Sequence, residues 1–276
     1  MGPHRRYHRG VRIIEDSLDR FVEVPDTPLR IVSLVPSLTE LLWDLGAASR
    51  VRAITGFCVE PAGAWEGVAR IGGPKDPDLD AIAHLAPDLV LVVKEENHAR
   101  DVAWLAERGI PVYVADVRTV EDAAALIGEI GDLVDGDPAA IERLSVAVRA
   151  GIEEARAVAA AHPPISVFVP IWRDPWLHPS PDTYIFDTLE VCGARPIVLG
   201  KRDSRYPKVS LDAVRAARPG LAILPDEPYA FGPADAVELA PIAPALLVDG
   251  KELGWYGKRT AGIGTLARRI HRVHNE

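Results

Sequence analysis

The chain has 276 residues, of which 48% are hydrophobic and 26% charged, enough to build the core of one large domain or two ordinary ones. Its net charge of −9 argues against nucleic acid or an anionic membrane as the main partner. No apolar run approaches the ~20 residues of a membrane span, so the chain is not expected to cross a membrane.

Residues 1–10 are basic but no apolar segment follows them, so no secretory signal is recognisable in the chain as given. We therefore expect a cytoplasmic protein, or an extracytoplasmic one if a leader is missing. Residues 11–24 alternate apolar and polar positions around a polar centre, which predicts a β-hairpin. Residues 1–28 are interpreted as an N-terminal extension with this hairpin.

Strands then alternate with helices, which indicates a parallel sheet covered on both faces. Ser37 is the predicted cap of the first helix, with Glu40 completing a capping box, and Asn97 is a predicted cap further along. The predicted strands are 30–35, 51–55, 88–93 and 112–115, and the predicted helices are 38–45, 78–86, 97–108 and 120–134, with a loop at 56–76. Residues 29–136 form the predicted N-terminal α/β lobe.

A long helix is predicted over residues 137–161, because Asp137 and Pro138 suit a helix start and apolar residues recur at three- and four-residue steps. Pro163 and Pro164 end it. We interpret 137–162 as a helical strut that joins two lobes, with a ligand held between them. The alternative is one continuous domain that happens to contain a long helix.

The pattern restarts in residues 163–276, the predicted C-terminal α/β lobe. Its predicted strands are 165–171, 221–224 and 245–248, and its predicted helices are 183–191, 211–217, 234–239 and 260–273, with loops at 172–182 and 249–256. Residues 79–91 (LDAIAHLAPDLVL) align with 211–223 (LDAVRAARPGLAI), and both read as helix, proline and buried strand. This internal repeat favours two lobes related by pseudo-symmetry.

Three segments carry a family resemblance: 16–25 (DSLDRFVEVP), 30–40 (RIVSLVPSLTE) and 190–194 (EVCGA). With the repeat and the terminal helix, they resemble the substrate-binding proteins of ATP-driven importers that have a helical backbone between the lobes. Those proteins take up iron–siderophores, haem or cobalamin. The resemblance implies two Rossmann-like lobes of the class III periplasmic-binding-protein type, and the cobalamin-binding members are the most similar.

Aromatic side chains in the predicted loops are the main ligand-binding candidates, because a planar macrocycle needs apolar walls with few polar anchors. Trp172, Trp176, Trp255 and Tyr256 are predicted to contact ligand in the second lobe. The resemblance adds Phe57 in the first lobe, and Pro74 at a position where cobalamin binders often place tryptophan. Trp65 is also in a loop, whereas Trp43 and Trp104 lie on predicted helices and are expected in the core.

Polar candidates are fewer. Lys94 follows a buried strand and is a predicted contact for a ligand amide or carboxylate, although a rim lysine is more often simply solvated. Cys58 and His178 are candidate axial ligands to the metal of a bound chelate. Free, mostly buried thiols are expected for Cys58 and Cys192; a disulfide between them is the alternative. No pattern for a protein-bound metal is present.

Asp80 and Asp212 occupy equal places in the two repeats, each near a helix start, where an acid favours the helix dipole. The resemblance implies a further role, since the family pairs one acid per lobe with arginines of the membrane permease. Enzyme motifs such as Gly-x-Ser-x-Gly or a phosphate loop are missing from the sequence, and we expect no catalytic residues and no catalytic cofactor.

The sequence thus predicts a monomeric, non-enzymatic protein that captures a cobalamin-like corrinoid for import, with an ABC permease as a partner. The alternatives are a ferric-siderophore or haem binder, a cytoplasmic corrinoid-handling or sensory protein with no permease, and an enzyme.

Overall fold

The computed structural model describes residues 6–8, 10–200 and 204–275, with the side chains of 6–8 and 275 left aside. Part of the predicted extension, residues 1–5 and 9, lies outside the described residues. Two compact units are present: Met1–Val117 with Ala125–Ser145, and Arg118–Ala124 with Val146–Glu276. No helix in the described ranges is long and apolar enough to cross a membrane.

The predicted hairpin is confirmed and belongs to a three-stranded antiparallel sheet. Its strands are β1 (Arg6–His8), β2 (Val11–Glu15) and β3 (Phe21–Pro25), paired in that order. Asp16 closes the hairpin turn, since its Oδ1 accepts hydrogen bonds from the amides of Leu18 (2.9 Å) and Arg20 (3.2 Å). Strand β1 was not predicted.

The first unit contains a parallel five-stranded sheet in the order β6-β5-β4-β7-β8. Its strands are β4 (Ile31–Ser33), β5 (Val51–Ile54), β6 (Ala69–Arg70), β7 (Leu89–Val93) and β8 (Val112–Ala115). Helices α1 (Pro36–Asp44), α2 (Leu79–His84) and α3 (Ala99–Ala106) connect them. Strand β7 is buried along its whole length, which matches its unbroken apolar sequence. Strand β6 lies inside the predicted loop 56–76.

Two long helices follow, α4 (Val120–Leu133) and α5 (Pro138–Ala160). The predicted long helix is confirmed as the 23-residue α5, and Asp137 caps it by accepting a hydrogen bond from the amide of Ala139 at 3.0 Å. The first turn of α4 belongs to the second unit, where the amide of Val120 donates to Asp187 Oδ2 at 2.7 Å. The lobe limits 29–136 and 163–276 stay predictions.

The second unit contains a parallel four-stranded sheet in the order β10-β9-β11-β12. Its strands are β9 (Ile165–Phe168), β10 (Ala194–Pro196), β11 (Leu221–Pro225) and β12 (Ala245–Val248). Its helices are α6 (Tyr184–Val191), α7 (Leu211–Ala217), α8 (Pro233–Leu239), α9 (Gly250–Gly254) and α10 (Ile263–Asn275). Strand β10 was not predicted, and α9 lies in the predicted loop 249–256.

The internal repeat is present in the fold as α2–β7 and α7–β11. Asp78 and Ser210 cap the two helices from equivalent positions. After each helix one residue adopts a left-handed conformation, Ala86 at φ 45° and Arg218 at φ 50°, again at equivalent positions. Agreement in caps, in backbone conformation and in strand order indicates two Rossmann-like α/β units of one design.

Two predicted helix caps are wrong. Val35 precedes α1 as the cap residue and no side chain caps it, because Pro36 is the first helical residue and places Ser37 inside the helix. His98 precedes α3. The Asn97 side chain instead accepts the amide of Val93 at 2.9 Å and donates to the carbonyl of Pro74 at 3.0 Å.

Candidate functional site

The predicted ligand-binding residues of the first unit follow successive strands of one parallel sheet. Phe57 and Cys58 come after β5, Pro74 after β6 and Lys94 after β7. The carboxyl ends of parallel strands share one edge of a sheet, and ligands of open α/β sheets bind there. The fold therefore brings these four positions to the edge at which a site is expected.

Phe57 is the most open of these side chains, with 65% of its surface exposed. Its ring lies against Gly73, where a Cβ would be 3.3 Å from the ring carbon Cε2. Arg70 fixes the turn that carries the ring, because its guanidinium donates to the carbonyls of Thr55 at 2.9 Å and Cys58 at 2.8 Å. The result is an exposed aromatic side chain on a held backbone.

Cys58 does not share this exposure. It is fully buried, and its Sγ lies 3.1 Å from both Thr39 Oγ1 and Thr55 Oγ1. Burial raises the pKa of the thiol. A neutral thiol enclosed by two hydroxyl groups is a packing element, so the structure speaks against Cys58 as a metal ligand. Both cysteines are free and buried, which confirms the thiol prediction.

The polar residues of this edge contact one another. The ammonium of Lys94 lies 3.2 Å from Asp116 Oδ2, and Lys75 donates to the carbonyl of Glu95 at 2.8 Å. Pro74 is partly exposed, and its carbonyl accepts the Asn97 side-chain amide. Lys94 is thus a paired lysine at this edge of the sheet, and its contact with a ligand stays a prediction.

In the second unit, Trp172 follows β9 and is 42% exposed. Its ring meets Tyr229 edge to face, with centroids 5.7 Å apart and planes at 75°. Trp176 is less open, because it stacks on Phe231 at 5.8 Å and 10° and packs against the hydrophobic core. Trp172 is therefore the ring that a ligand can reach more easily.

Arg173 anchors the loop that carries both tryptophans. Its guanidinium lies 2.6 Å from Asp235 Oδ1 and 2.7 Å from Glu238 Oε2, both on α8. The hydrogen bond to Asp235 raises the pKa of Arg173. Because two carboxylates of one helix bind its guanidinium, Arg173 restricts the loop. This restriction would reduce the entropic cost of ordering the loop when a ligand binds.

His178, the second axial candidate, is enclosed in the core. Its Nδ1 lies 3.0 Å from the carbonyl of Val169, its Nε2 lies 2.5 Å from the carbonyl of Ile197, and the ring stacks on Phe168. Burial lowers the pKa of this imidazole. Both nitrogens are occupied by backbone, so the structure does not support His178 as a metal ligand.

The two neighbouring aromatic candidates near the C-terminus differ. Trp255 is partly exposed, and its indole N–H donates to the carboxylate of Glu227. Tyr256 is only 4% exposed and packs edge to face on Tyr184 at 4.9 Å. The sequence-based assignment of Tyr256 as a ligand contact is therefore at odds with its place in the core.

Sequence reasoning missed Glu227 and Tyr229, which lie in the loop after β11. Burial raises the pKa of Glu227, opposed by Lys251 and by the hydrogen bond from Trp255. The signal that could have found them is their position: both residues lie in the first few positions after a buried strand, at the carboxyl edge of the sheet.

Asp80 and Asp212 are each the second residue of a helix, α2 and α7, and both are exposed. Asp212 also pairs with Arg215 at 2.7 Å, three residues along the same helix. The positions are equivalent and accessible, and their role in docking stays a prediction.

Comparison with known proteins supports the architecture. The family model described as "Periplasmic binding protein" matches residues 31–227. The vitamin B12-binding protein of Pectobacterium atrosepticum is 26% identical over 210 residues, which is 71% of this chain and 71% of that protein.

Among solved structures, the periplasmic vitamin B12 binding protein of Vibrio cholerae superposes with a TM-score of 0.78 at 20% identity, covering 91% of this chain and 100% of that one. A periplasmic heme binding protein from Pseudomonas aeruginosa gives a TM-score of 0.74 at 21% identity, covering 89% and 93%. Structural likeness at such identity establishes the fold and not the ligand. On the family match and the shared fold, the chain belongs to the periplasmic binding protein family.

Proposed function

We propose that this protein binds a corrinoid of the cobalamin type and delivers it to an ATP-driven importer. The observation that carries the proposal is the pair of open aromatic side chains at the carboxyl edges of the two sheets. Phe57 is 65% exposed in the first unit and Trp172 is 42% exposed in the second. Exposed rings on held loops suit the flat, apolar body of a macrocycle.

The burial of the axial candidates supports a corrinoid over haem. Cys58 and His178, the two candidate axial ligands, are fully buried. A ligand whose metal needs a donor from the protein would find neither of them in reach. A chelate that brings its own metal ligands, as cobalamin does, has no such need.

The charges near these loops support the same choice. Lys94 is paired with Asp116, and Arg173 with two carboxylates of α8. Glu227 adds a carboxylate beside Trp255. An anionic ferric siderophore or the propionates of haem would compete with the protein's own acids for these cations, whereas neutral amide groups would not.

A ligand panel tests the proposal. Cyanocobalamin, haemin and a ferric catecholate siderophore are titrated separately, and binding is followed by tryptophan quenching and by calorimetry. We expect cyanocobalamin to bind most tightly. Failure to bind at ~100 μM, a free energy near −5.5 kcal/mol, would refute the corrinoid assignment. Tighter binding of haemin would select the haem alternative instead.

A further inference from the structure

One loop of the second unit contacts all three tryptophans nominated from the sequence in that unit. Within residues 226–231, every second side chain meets a different tryptophan: Glu227 accepts from Trp255, Tyr229 lies edge to face with Trp172, and Phe231 stacks on Trp176. Residues that follow β11 therefore hold the three tryptophan side chains in place, together with the loops that carry the tryptophans.

The loop is itself held by its neighbour in the sheet. Asp226 Oδ1 accepts the amide of Gly250 at 2.7 Å. Gly250 also approaches Glu227 so closely that a Cβ there would lie 2.4 Å from Glu227 Cγ and 2.6 Å from its carbonyl oxygen. The backbone at the start of α9 therefore closes on Glu227, and only glycine fits at that point.

Glu227 is the one charged member of the three. Its carboxylate is partly buried, faces Lys251, and lies near two other acids, Asp226 and Asp249. Lys251 and Arg259 also lie about 6 Å from the Trp255 ring, at 6.0 Å and 5.9 Å. A carboxylate accepts up to about four hydrogen bonds, and the indole N–H of Trp255 supplies one.

We propose that Glu227 is a specificity-determining residue that positions Trp255 and accepts a hydrogen bond from a ligand N–H group. It favours a ligand edged with amides and disfavours one edged with carboxylates. This inference rests on the proposed function, because it names the chemical class that the same site selects.

A structural role and a binding role for Glu227 predict different behaviour of Glu227→Gln. The glutamine keeps the shape and an acceptor oxygen for Trp255 but removes the charge. If Glu227 served stability, the variant would melt at a lower temperature. If it serves binding, the variant keeps or gains thermal stability, because a partly buried charge is removed, and loses affinity.

The first measurement needs no ligand. The indole N–H resonance of Trp255, assigned by its loss in Trp255→Phe, is followed by NMR between about pH 4.5 and pH 8 in the wild-type protein and in Glu227→Gln. We expect the resonance to titrate in the wild-type protein and to stay fixed in the variant. A resonance that titrates alike in both proteins would overturn the contact on which the inference depends.

The second measurement is the affinity for cyanocobalamin over the same pH range. We expect wild-type affinity to fall on the acid side, and Glu227→Gln to bind at least about fivefold more weakly at pH 7 with a flat profile, a difference of about one kcal/mol. Glu190→Gln, which removes an exposed carboxylate from α6 of the same unit, is the charge control and should match the wild-type protein.

The outcomes separate the two ideas. If the wild-type protein binds cyanocobalamin and Glu227→Gln has the same affinity and the same pH profile, the inference is overturned and the proposed function stands. If the wild-type protein binds no cyanocobalamin at any pH, the proposed function fails and the inference fails with it.

Discussion

Replacing Trp172 by alanine gives the sharpest test of the proposed aromatic site. The side chain is 42% exposed, and a tryptophan side chain offers on the order of 250 Å², so about 100 Å² is open to a ligand. At about 25 cal/mol per Å², complete coverage contributes about 2.5 kcal/mol and half coverage about 1.2 kcal/mol. We therefore expect Trp172→Ala to weaken cyanocobalamin binding by roughly 8- to 70-fold, measured by calorimetry.

The chain provides a matched control in Trp43. It is 43% exposed and meets Trp65 edge to face at 5.9 Å and 74°, much as Trp172 meets Tyr229. Trp43 lies in the last turn of α1, and α1 begins at the carboxyl end of β4, so its last turn points toward the opposite edge of the sheet. Trp43→Ala should bind ligand within about twofold of wild type. Equal losses in both variants, or no loss in Trp172→Ala, would refute the assignment.

Three further predictions concern other parts of the molecule. Asn97→Ala should lower the free energy of unfolding by about 2 kcal/mol in urea, because it leaves a buried strand-end amide and a carbonyl without partners; wild-type stability would contradict this. Gly151→Ala should cost about 1–3 kcal/mol, since its Cβ would lie 2.3 Å from a backbone oxygen, whereas Gly128→Ala in the middle of α4 has open space and should raise the melting temperature. Asp80→Lys with Asp212→Lys should leave cyanocobalamin affinity unchanged but abolish uptake by cells that depend on the importer, and normal uptake would reject the docking role.

The order of strands and helices could be predicted from the sequence because the patterns that indicate them are local. Apolar runs predicted the buried strands, and strand β7 is buried from end to end. The repeat 79–91 and 211–223 also carried backbone detail: Ala86 and Arg218 both adopt left-handed conformations before a proline. The two copies of the repeat therefore fold alike, which is why the repeat was enough to predict two α/β units of similar design.

The burial of individual polar and aromatic side chains could not be predicted from the sequence. Trp43 was expected in the core and is 43% exposed, whereas Trp65, expected in an open loop, is 3% exposed. Ser37 and Asn97 have the residue types of helix caps, but Pro36 and the carboxyl end of β7 determine their actual roles. The two tryptophans contact each other across the α1–β5 segment, a pairing that the local sequence does not record. For Ser37 and Asn97 the deciding neighbours are local, Pro36 and Val93, but residue type alone does not show that they override a cap.

An ionisable group with a shifted pKa indicates function only when it can still form a hydrogen bond or coordinate bond to a ligand. Cys58 and His178 have shifted pKa values, yet two hydroxyl groups or two backbone carbonyls enclose them fully. Glu227 differs, because it is partly exposed among aromatic side chains, and its two neighbours, the indole N–H of Trp255 and Lys251, do not enclose it. Its raised pKa means that the folded state holds the proton more tightly than the unfolded chain does. The associated stability is complete below the unfolded pKa and is lost as the pH rises through the folded pKa. At neutral pH the fold therefore tolerates a charge that weakens it.

Glu227→Gln should accordingly reduce the difference in unfolding free energy between pH 5 and pH 7, and an unchanged difference would show that the carboxylate is as well solvated in the fold as in the unfolded chain.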